Sequence, residues 1–214
     1  MARDPKPGTP VLQMDGLCLR FSQRELFANL SATIPPGVTW VEGGEGSGKT
    51  TLMRLMSGEM AADTGRMQIN GVSLADQPQV YRSQVFWADP RSEALDAITP
   101  VAYWAVVQKR YPVFDTQLLA ELVAGLSLAP HQDKALYMLS TGSKRKVWLA
   151  AAFASGAAVT LLDEPFAALD KASINLVLEL LHDAATHATR AWVVADYEAP
   201  RGVPLASSVM LDAL

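Results

Sequence analysis

The sequence predicts an α/β fold in which short buried strands alternate with amphipathic helices. Three observations predict it. An apolar run at 38–41 leads into a glycine-rich loop, a second apolar run at 159–162 ends in two carboxylates, and helical periodicity follows both. The 214 residues, 50% of them hydrophobic, suffice to bury a conventional core. We expect a flexible leader at 1–10 and a single domain over 11–214, with a helical subdomain at about 90–155.

The strands are predicted from apolar runs and from alternation of apolar and polar residues. Two short pieces between residues 11 and 21 are expected to break at Asp15-Gly16, a pair typical of turns. Asn70-Gly71 predicts a tight turn at the end of another strand. The remaining strands are predicted over residues 26–34, 38–41, 67–69, 84–88, 159–162, 191–195 and 207–211.

The helices are predicted from their apolar faces and end signals. The helix after the glycine-rich loop is expected to stop at Gly58. Thr99 is expected to cap a helix whose first residue is Pro100. Further helical segments are predicted up to Leu128, with a break at Pro112, and then over 144–155 and 171–182.

The composition excludes several classes of protein. The 18 basic and 22 acidic residues give a net charge of −4, which argues against a nucleic-acid partner. Cys18 is the single cysteine, so the chain is not a disulfide scaffold. The sequence shows neither a signal peptide nor an apolar stretch of bilayer length. These features predict a cytoplasmic protein that reaches a membrane only through another subunit.

The clearest functional signal is the glycine-rich loop between a predicted strand and a predicted helix. It matches G-x-x-x-x-G-K-[ST], a pattern in which backbone N–H groups and a helix N-terminus surround a chain of phosphates. Lys49 can bridge the β- and γ-phosphates, and the Thr50 hydroxyl can bind Mg²⁺. The residues predicted to bind the nucleotide here are Gly43, Gly44, Glu45, Gly46, Ser47, Gly48, Lys49, Thr50 and Thr51.

Two carboxylates end the apolar run at 159–162. Ligands of α/β folds sit at the carboxyl ends of the strands, where these side chains are expected. Asp163 suits the Mg²⁺ shell, and Glu164 can orient or deprotonate an attacking water. Such a pair alone is common at solvated strand ends. Together with the phosphate loop, it predicts a nucleotide-hydrolysing site.

A third motif, Leu139-Ser140-Thr141-Gly142-Ser143, starts 24 residues before Asp163. With the phosphate loop and the acidic strand end in this order, the chain resembles the nucleotide-binding subunit of an ABC (ATP-binding cassette) transporter over about residues 11–196. The resemblance implies a P-loop NTPase core of the ABC-ATPase type, with an antiparallel β subdomain and a helical insert. It also implies that Ser140 and Gly142 contact the γ-phosphate bound to a second subunit.

Two smaller matches extend the resemblance. Phe21 precedes Lys49 by 28 residues, where the family has an aromatic ring that stacks on adenine. A core aromatic on a strand is the alternative interpretation of Phe21. The segment 167–170 resembles the loop that crosses the dimer interface in the family, and Asp170 is also suited to cap the next helix.

Four positions depart from the family pattern. In the signature, Thr141 stands for a glycine and Ser143 for the usual glutamine. The other two departures are acidic residues. Asp89 stands where the family has a glutamine that touches Mg²⁺ and the attacking water, and its oxygens are suited to bind the metal. Asp196 stands at the position of the switch histidine, and an ionised carboxylate cannot donate a hydrogen bond to the γ-phosphate. Two like charges about 4 Å apart at an effective dielectric near 20 repel by roughly 4 kcal/mol. Both residues are candidate catalytic positions, and we expect ATP hydrolysis to be slow.

The resemblance implies an ATP-hydrolysing subunit whose dimer closure on ATP powers a separate transmembrane permease subunit. It implies ATP and Mg²⁺ as cofactors, and a second ABC ATPase subunit, identical or related, as dimer partner. The location implied is the cytoplasmic face of the inner membrane. The short single cassette resembles the ATPases of small exporters, including the one that serves cytochrome c maturation.

Two alternatives to this function remain. The first is a catalytically degenerate regulatory module that binds nucleotide with little ATPase activity. The second, a soluble ABC ATPase of DNA repair or translation, would need coiled-coil inserts or a tandem cassette, and neither is present. The basic run 144–146 is interpreted as a solvated helix face rather than a nucleic-acid patch. The three histidines, His131, His182 and His187, are interpreted as surface residues.

Overall fold

The computed structural model describes residues 10–21, 24–89 and 91–211. The predicted leader therefore lies, apart from residue 10, outside the described residues. The strands are β1 (Leu12–Phe21), β2 (Arg24–Ile34), β3 (Gly37–Glu42), β4 (Thr64–Ile69), β5 (Val72–Ser73), β6 (Val85–Phe86), β7 (Val159–Asp163), β8 (Ala191–Ala195) and β9 (Ser207–Met210). The α-helices are α1 (Lys49–Ser57), α2 (Pro78–Ser83), α3 (Pro100–Arg110), α4 (Thr116–Gly125), α5 (Thr141–Ala154) and α6 (Lys171–Ala184).

The strands form two sheets of different kinds. One is antiparallel, with strand order β2-β1-β4-β5, and the other is parallel, with order β6-β7-β8-β3-β9. In the parallel sheet, Ala195 at the end of β8 is in register with both Val41 of β3 and Asp163 of β7. The carboxyl ends of three central strands therefore meet at one edge. This arrangement confirms the predicted α/β fold with an antiparallel β subdomain.

Two hydrophobic cores cover the two faces of the parallel sheet. In β8, Trp192 and Val194 belong to one core and Val193 and Ala195 to the other, because successive side chains of a strand point to opposite faces. The first core contains apolar residues of α3, α4 and α5. The second lies between α1 and the antiparallel sheet. Burial on both sides explains why these strands are continuous apolar runs.

Several predicted element ends are confirmed. The Thr99 hydroxyl accepts a hydrogen bond from the N–H of Ala102 at 3.2 Å and caps α3. Gly58 ends α1 in the left-handed conformation, with φ 75°. Asn70 and Gly71 both have positive φ, as a two-residue hairpin turn of type I′ requires. Within the described ranges, no helix combines the length and the apolar character needed to cross a membrane.

The prediction differs from the structure at several elements. The short strand β5 was missed, and β4 begins three residues before its predicted start. β1 runs through Asp15-Gly16 without a break, because a β-bulge in its pairing with β2 and β4 absorbs the turn-forming pair. β6 covers only two of the five residues expected at 84–88. The six-residue helix α2 was missed, since it is too short to show a helical period. Helix α5 begins three residues before the predicted start at 144, because Ser140 supplies its cap.

Candidate nucleotide-binding site

A cavity of about 390 Å³ lies above the carboxyl ends of the central strands. Phe21 is 48% exposed at its rim, so the side chain is free to stack on a planar ligand and is not a core aromatic. The lining residues are Phe21, Leu26, Gly44, Glu45, Gly46, Ser47, Gly48, Lys49, Thr50, Thr51, Arg91, Glu164 and Tyr197. Nearly the whole predicted phosphate loop therefore faces one space together with Phe21 and Glu164.

The loop geometry depends on glycine at the start of α1. Gly48 has φ 99°, and a Cβ built there would lie 3.0 Å from the Phe27 ring and 3.2 Å from Leu26. A side chain at this position would be strained by both its backbone angle and its neighbours. The residue thus turns the chain directly into the helix, whose first N–H groups border the cavity.

The Lys49 ammonium lies inside the loop. Its Nζ donates hydrogen bonds to the carbonyl oxygens of Gly43 at 2.6 Å and Gly44 at 2.9 Å. The same atom lies 4.2 Å from the centroid of the Tyr197 ring, which is a cation–π contact. The ammonium is buried, and the two carbonyls and the ring are not partners of full negative charge. Phosphate oxygens would supply such partners.

Thr50 and Asp163 meet across the base of the cavity. The Thr50 hydroxyl donates a 2.7 Å hydrogen bond to Oδ2 of Asp163, although the two residues are 113 positions apart in the sequence. The other carboxylate oxygen, Oδ1, is buried and has no hydrogen-bond partner among the described residues. Burial raises the pKa of Asp163, and the bond from Thr50 lowers it. A hydroxyl beside an unsatisfied carboxylate oxygen is a donor set that fits a hard divalent cation.

Glu164 occupies a rare backbone conformation directly after β7. Its φ is 47°, in the left-handed region that non-glycine residues seldom adopt. Its N–H donates to the carbonyl oxygen of Ala195 at 2.8 Å, and its carbonyl oxygen accepts a hydrogen bond from Nη1 of Arg145. Strained backbone of this kind clusters at functional sites. The fold therefore holds Glu164 from both sides while its side chain borders the cavity.

The predicted switch residue, Asp196, faces a neighbouring space. Its Oδ1 accepts a 2.7 Å hydrogen bond from the N–H of Tyr197, and its side chain lines a second cavity with Phe166 and Lys171. Tyr197 lines both cavities. Tyr197, the residue after the switch position, thus borders the cavity of the phosphate loop. The Asp196 carboxylate borders the neighbouring cavity.

The Asp196 carboxyl has a raised pKa. Burial is the main cause, and the Glu164 carboxylate adds to it; the Tyr197 N–H, Lys49 and Arg145 act in the opposite direction. A carboxyl whose pKa is higher in the folded than in the unfolded protein stabilises the fold only at low pH. This contribution is lost as the pH rises through the folded-state pKa.

Asp196→Asn is therefore expected to raise the melting temperature at neutral pH, because the amide keeps the acceptor for Tyr197 and avoids burying a charge. The difference from the natural protein should shrink as the pH falls towards about 4, where the unfolded carboxyl also gains its proton. Calorimetry of both proteins over a pH series measures it. A difference in melting temperature that stays constant with pH would contradict the raised pKa of Asp196.

Asp89 is engaged outside the cavity. Its Oδ2 forms a 2.5 Å ion pair with Arg54 of α1, and its Oδ1 accepts a 2.9 Å hydrogen bond from the N–H of Arg91. The side chain borders a groove that also contains Trp87 and Val106. To bind Mg²⁺, as the sequence predicts, this carboxylate would have to exchange Arg54 for the metal.

The Ser140 and Gly142 pair lies at the N-terminus of α5. Ser140 is exposed and its hydroxyl caps the helix, accepting a 3.1 Å hydrogen bond from the N–H of Ser143. Gly142 is buried, and a Cβ there would lie 2.3 Å from the carbonyl oxygen of Ala168. These two residues border a different surface from the phosphate loop of their own chain. Asp170, as predicted, caps α6 through the N–H of Ser173.

The interpretation of the basic run 144–146 as a solvated face is wrong. Arg145 is only 8% exposed. Lys144 forms a 2.7 Å ion pair with Asp96, and Lys146 forms a 2.5 Å ion pair with Asp170. The acids that pair with these lysines lie 48 and 24 positions away in the sequence. The local sequence of the run therefore could not predict the ion pairs.

The prediction also missed residues that border the nucleotide cavity. Arg91 and Tyr197 line it, and nothing in their local sequence sets them apart. Of the histidines, His182 and His187 are exposed as predicted, and His131 is half-buried. In the part of the chain that the structure describes, no cluster of three histidine, cysteine or acidic residues could hold a metal.

Comparison with known proteins agrees with this geometry. A family model described as "ABC transporter" matches residues 27–167. The cytochrome c biogenesis ATP-binding export protein CcmA of Pseudomonas savastanoi pv. phaseolicola is 32% identical over 169 residues, which cover 78% of this chain and 79% of that protein. The protein of the same name from Wolbachia pipientis is 32% identical over 176 residues, covering 80% and 82%.

Solved structures share the fold. The ATP-binding subunit of an ABC transporter superposes with a TM-score of 0.77 at 22% identity, over 86% of this chain and 79% of that one. A bacterial Atm1-family ABC exporter with ATP bound gives a TM-score of 0.77 at 20% identity, over 99% of this chain and 38% of that one. At these identities the structures support the fold alone.

Proposed function

The chain belongs to the ABC transporter family, and we propose that it binds ATP with Mg²⁺ in the cavity of the phosphate loop and hydrolyses it there. It is an ATP-binding, ATP-hydrolysing subunit that powers a separate membrane subunit. The regulatory alternative is not favoured, because the relatives are named as ATP-binding export proteins. By similarity to them, we propose that the transport it drives is export.

The observation that carries this proposal is the contact between Thr50 and Asp163. It brings the end of the phosphate loop and the end of β7 within one hydrogen bond, and it leaves Asp163 Oδ1 for a cation. Both residues would hold Mg²⁺, which would neutralise charge on the β- and γ-phosphates. Lys49 would exchange the Gly43 and Gly44 carbonyls for phosphate oxygens.

The remaining cavity residues divide between binding and chemistry. The N–H groups of residues 43–51 would surround the phosphates, and Phe21 would stack on the adenine. Glu164 would accept the proton of the attacking water, since its side chain borders the same space. Asp196 borders the neighbouring cavity, and its charge, when ionised, would repel the γ-phosphate from there and slow turnover.

A second ABC ATPase subunit would complete the site. Neither Ser140 nor Gly142 lines the cavity of the phosphate loop in its own chain, so a second subunit would bring such a pair to the γ-phosphate. We propose a dimer of two copies, or of one copy and a related subunit, bound to a transmembrane permease at the cytoplasmic face of the inner membrane. We further propose that residues 11–214 act as one domain, with the helices of 90–155 as its subdomain.

The metal assignment predicts that Asp163→Asn weakens ATP binding about tenfold to a hundredfold when Mg²⁺ is present and leaves it nearly unchanged in EDTA. The asparagine retains the acceptor for Thr50 but loses the charge that attracts the cation. Calorimetric titration with ATP, with and without Mg²⁺, measures the difference. Asp183→Asn, on the exposed face of α6, is the matched control. Equal losses in both conditions would exclude Asp163 as a metal ligand.

A further inference from the structure

Helix α5 contacts the loop that follows β7 at three points. Gly142 packs against the carbonyl group of Ala168, Arg145 donates to the carbonyl oxygen of Glu164, and Lys146 pairs with Asp170. The three contacts are spread over the whole segment 164–170. The conformation of this segment therefore depends on the helix as much as on its own sequence.

Arg145 is the contact nearest to the phosphate site. Its guanidinium is buried, and its Nε has no hydrogen-bond partner among the described residues. Burial lowers the pKa of Arg145, and the carboxylates of Glu164, Asp163 and Asp196 counteract it. A buried cation costs free energy, and an apolar side chain of similar volume would pack here at lower cost. The presence of a charged guanidinium at this position is therefore better explained by the groups that it contacts than by its contribution to packing.

What Arg145 contacts is the strained peptide after β7. Glu164 adopts φ 47°, a strained conformation that persists only where neighbouring groups enforce it. The Ala195 carbonyl holds the N–H of Glu164, and the Arg145 guanidinium holds its C=O. The same C=O also accepts a 3.2 Å hydrogen bond from the N–H of Ala167. Without the guanidinium, this contact within the segment alone would hold the C=O in place.

We propose that Arg145 is a positioning residue for ATP hydrolysis, which acts by fixing the backbone of Glu164 so that its carboxylate stays in the phosphate cavity. This inference rests on the proposed role of Glu164 as the general base. It requires no contact between Arg145 and the nucleotide. A displacement of about 1 Å at a catalytic group can cost about a hundredfold in rate, so the backbone contact is sufficient for a large effect.

The first test compares Arg145→Met with the natural protein, each assembled with its membrane subunit. We expect kcat to fall at least about tenfold, with the ATP dissociation constant unchanged within about twofold. Arg145→Lys should recover part of the rate. Lys144→Met, which removes a cation from the next position of α5, should leave kcat within about twofold. Unchanged kcat in Arg145→Met, or a parallel loss of ATP affinity, would overturn the proposal.

The second test is a double-mutant cycle with Glu164→Gln, measured as single-turnover hydrolysis of radiolabelled ATP. If Arg145 acts through Glu164, adding Arg145→Met to Glu164→Gln should lower the rate less than about twofold further. Multiplicative losses would overturn the proposal and leave the role of Glu164 intact. If Glu164→Gln alone retained the natural rate, the proposed function would fail instead. Should Arg145→Met not fold, Arg145→Gln is judged by the same criteria.

Discussion

Glu164→Gln is expected to lower the ATPase rate of the protein, assembled with its membrane subunit, at least about a hundredfold. Glutamine has nearly the same shape as glutamate and can fill the same place beside the phosphate loop, but it cannot accept a proton from water. The ATP dissociation constant should stay within about twofold, because the proposed phosphate contacts come from residues 43–51. Steady-state phosphate release and ATP titration measure the two quantities.

A matched control for this variant is Glu198→Gln, which removes an exposed carboxylate two residues after Asp196 at the same edge of the sheet. It should hydrolyse ATP at the natural rate. The variant Glu164→Gln should also favour an ATP-bound dimer that sediments as such, since closure would no longer be followed by hydrolysis. A natural protein that turns over no faster than Glu164→Gln would not be an ATPase.

Lys49→Ala is expected to weaken ATP binding about a hundredfold. A hydrogen bond to a charged group contributes about 1.5–3 kcal/mol, and 1.4 kcal/mol corresponds to tenfold in affinity. Lys49 is the buried ammonium of the loop, and its present partners are two carbonyl groups and a ring that phosphates can replace. Titration with ATP measures the loss, and adenosine, which has no phosphate, should bind both proteins equally.

Lys171→Ala is the corresponding control, because Lys171 is likewise the first residue of a helix that follows the sheet. It lines the neighbouring cavity with Asp196 and lies outside the phosphate loop. ATP affinity should stay within about twofold in this variant. Comparable losses of ATP affinity in both lysine variants would show that ATP responds to the net charge of the protein and not to Lys49 in the phosphate loop.

The central part of the site was predictable because it follows from local chain order. A strand, a glycine turn and a helix fix the position of Lys49 and Thr50 relative to each other over a few residues. Asp163 could be added because parallel strands bring their carboxyl ends together whatever their separation along the chain. Phe21 was predicted by family resemblance to stack on adenine, and in the structure it lines the cavity of the phosphate loop.

The residues that could not be predicted depend on tertiary contacts. Arg145 and its neighbours have the composition of a solvated helix turn, and only the packing of α5 against the segment after β7 buries the guanidinium. Asp89 resembles a metal ligand in sequence, but Arg54 reaches it from helix α1. The bulge in β1 likewise exists only because two neighbouring strands keep β1 paired on both sides of Gly16.

Helix α5 gives the proposed dimer a direct route between its two active sites. Ser140 at its start would touch the nucleotide held by the other subunit, and Arg145, five residues later, donates to the backbone carbonyl of Glu164, the proposed general base of its own subunit. Five residues of α-helix span about 7.5 Å, and such a segment moves as a rigid body. Loss of the γ-phosphate at one site would therefore shift Glu164 at the other. We therefore expect the two ATP molecules of the proposed dimer to be hydrolysed with cooperativity.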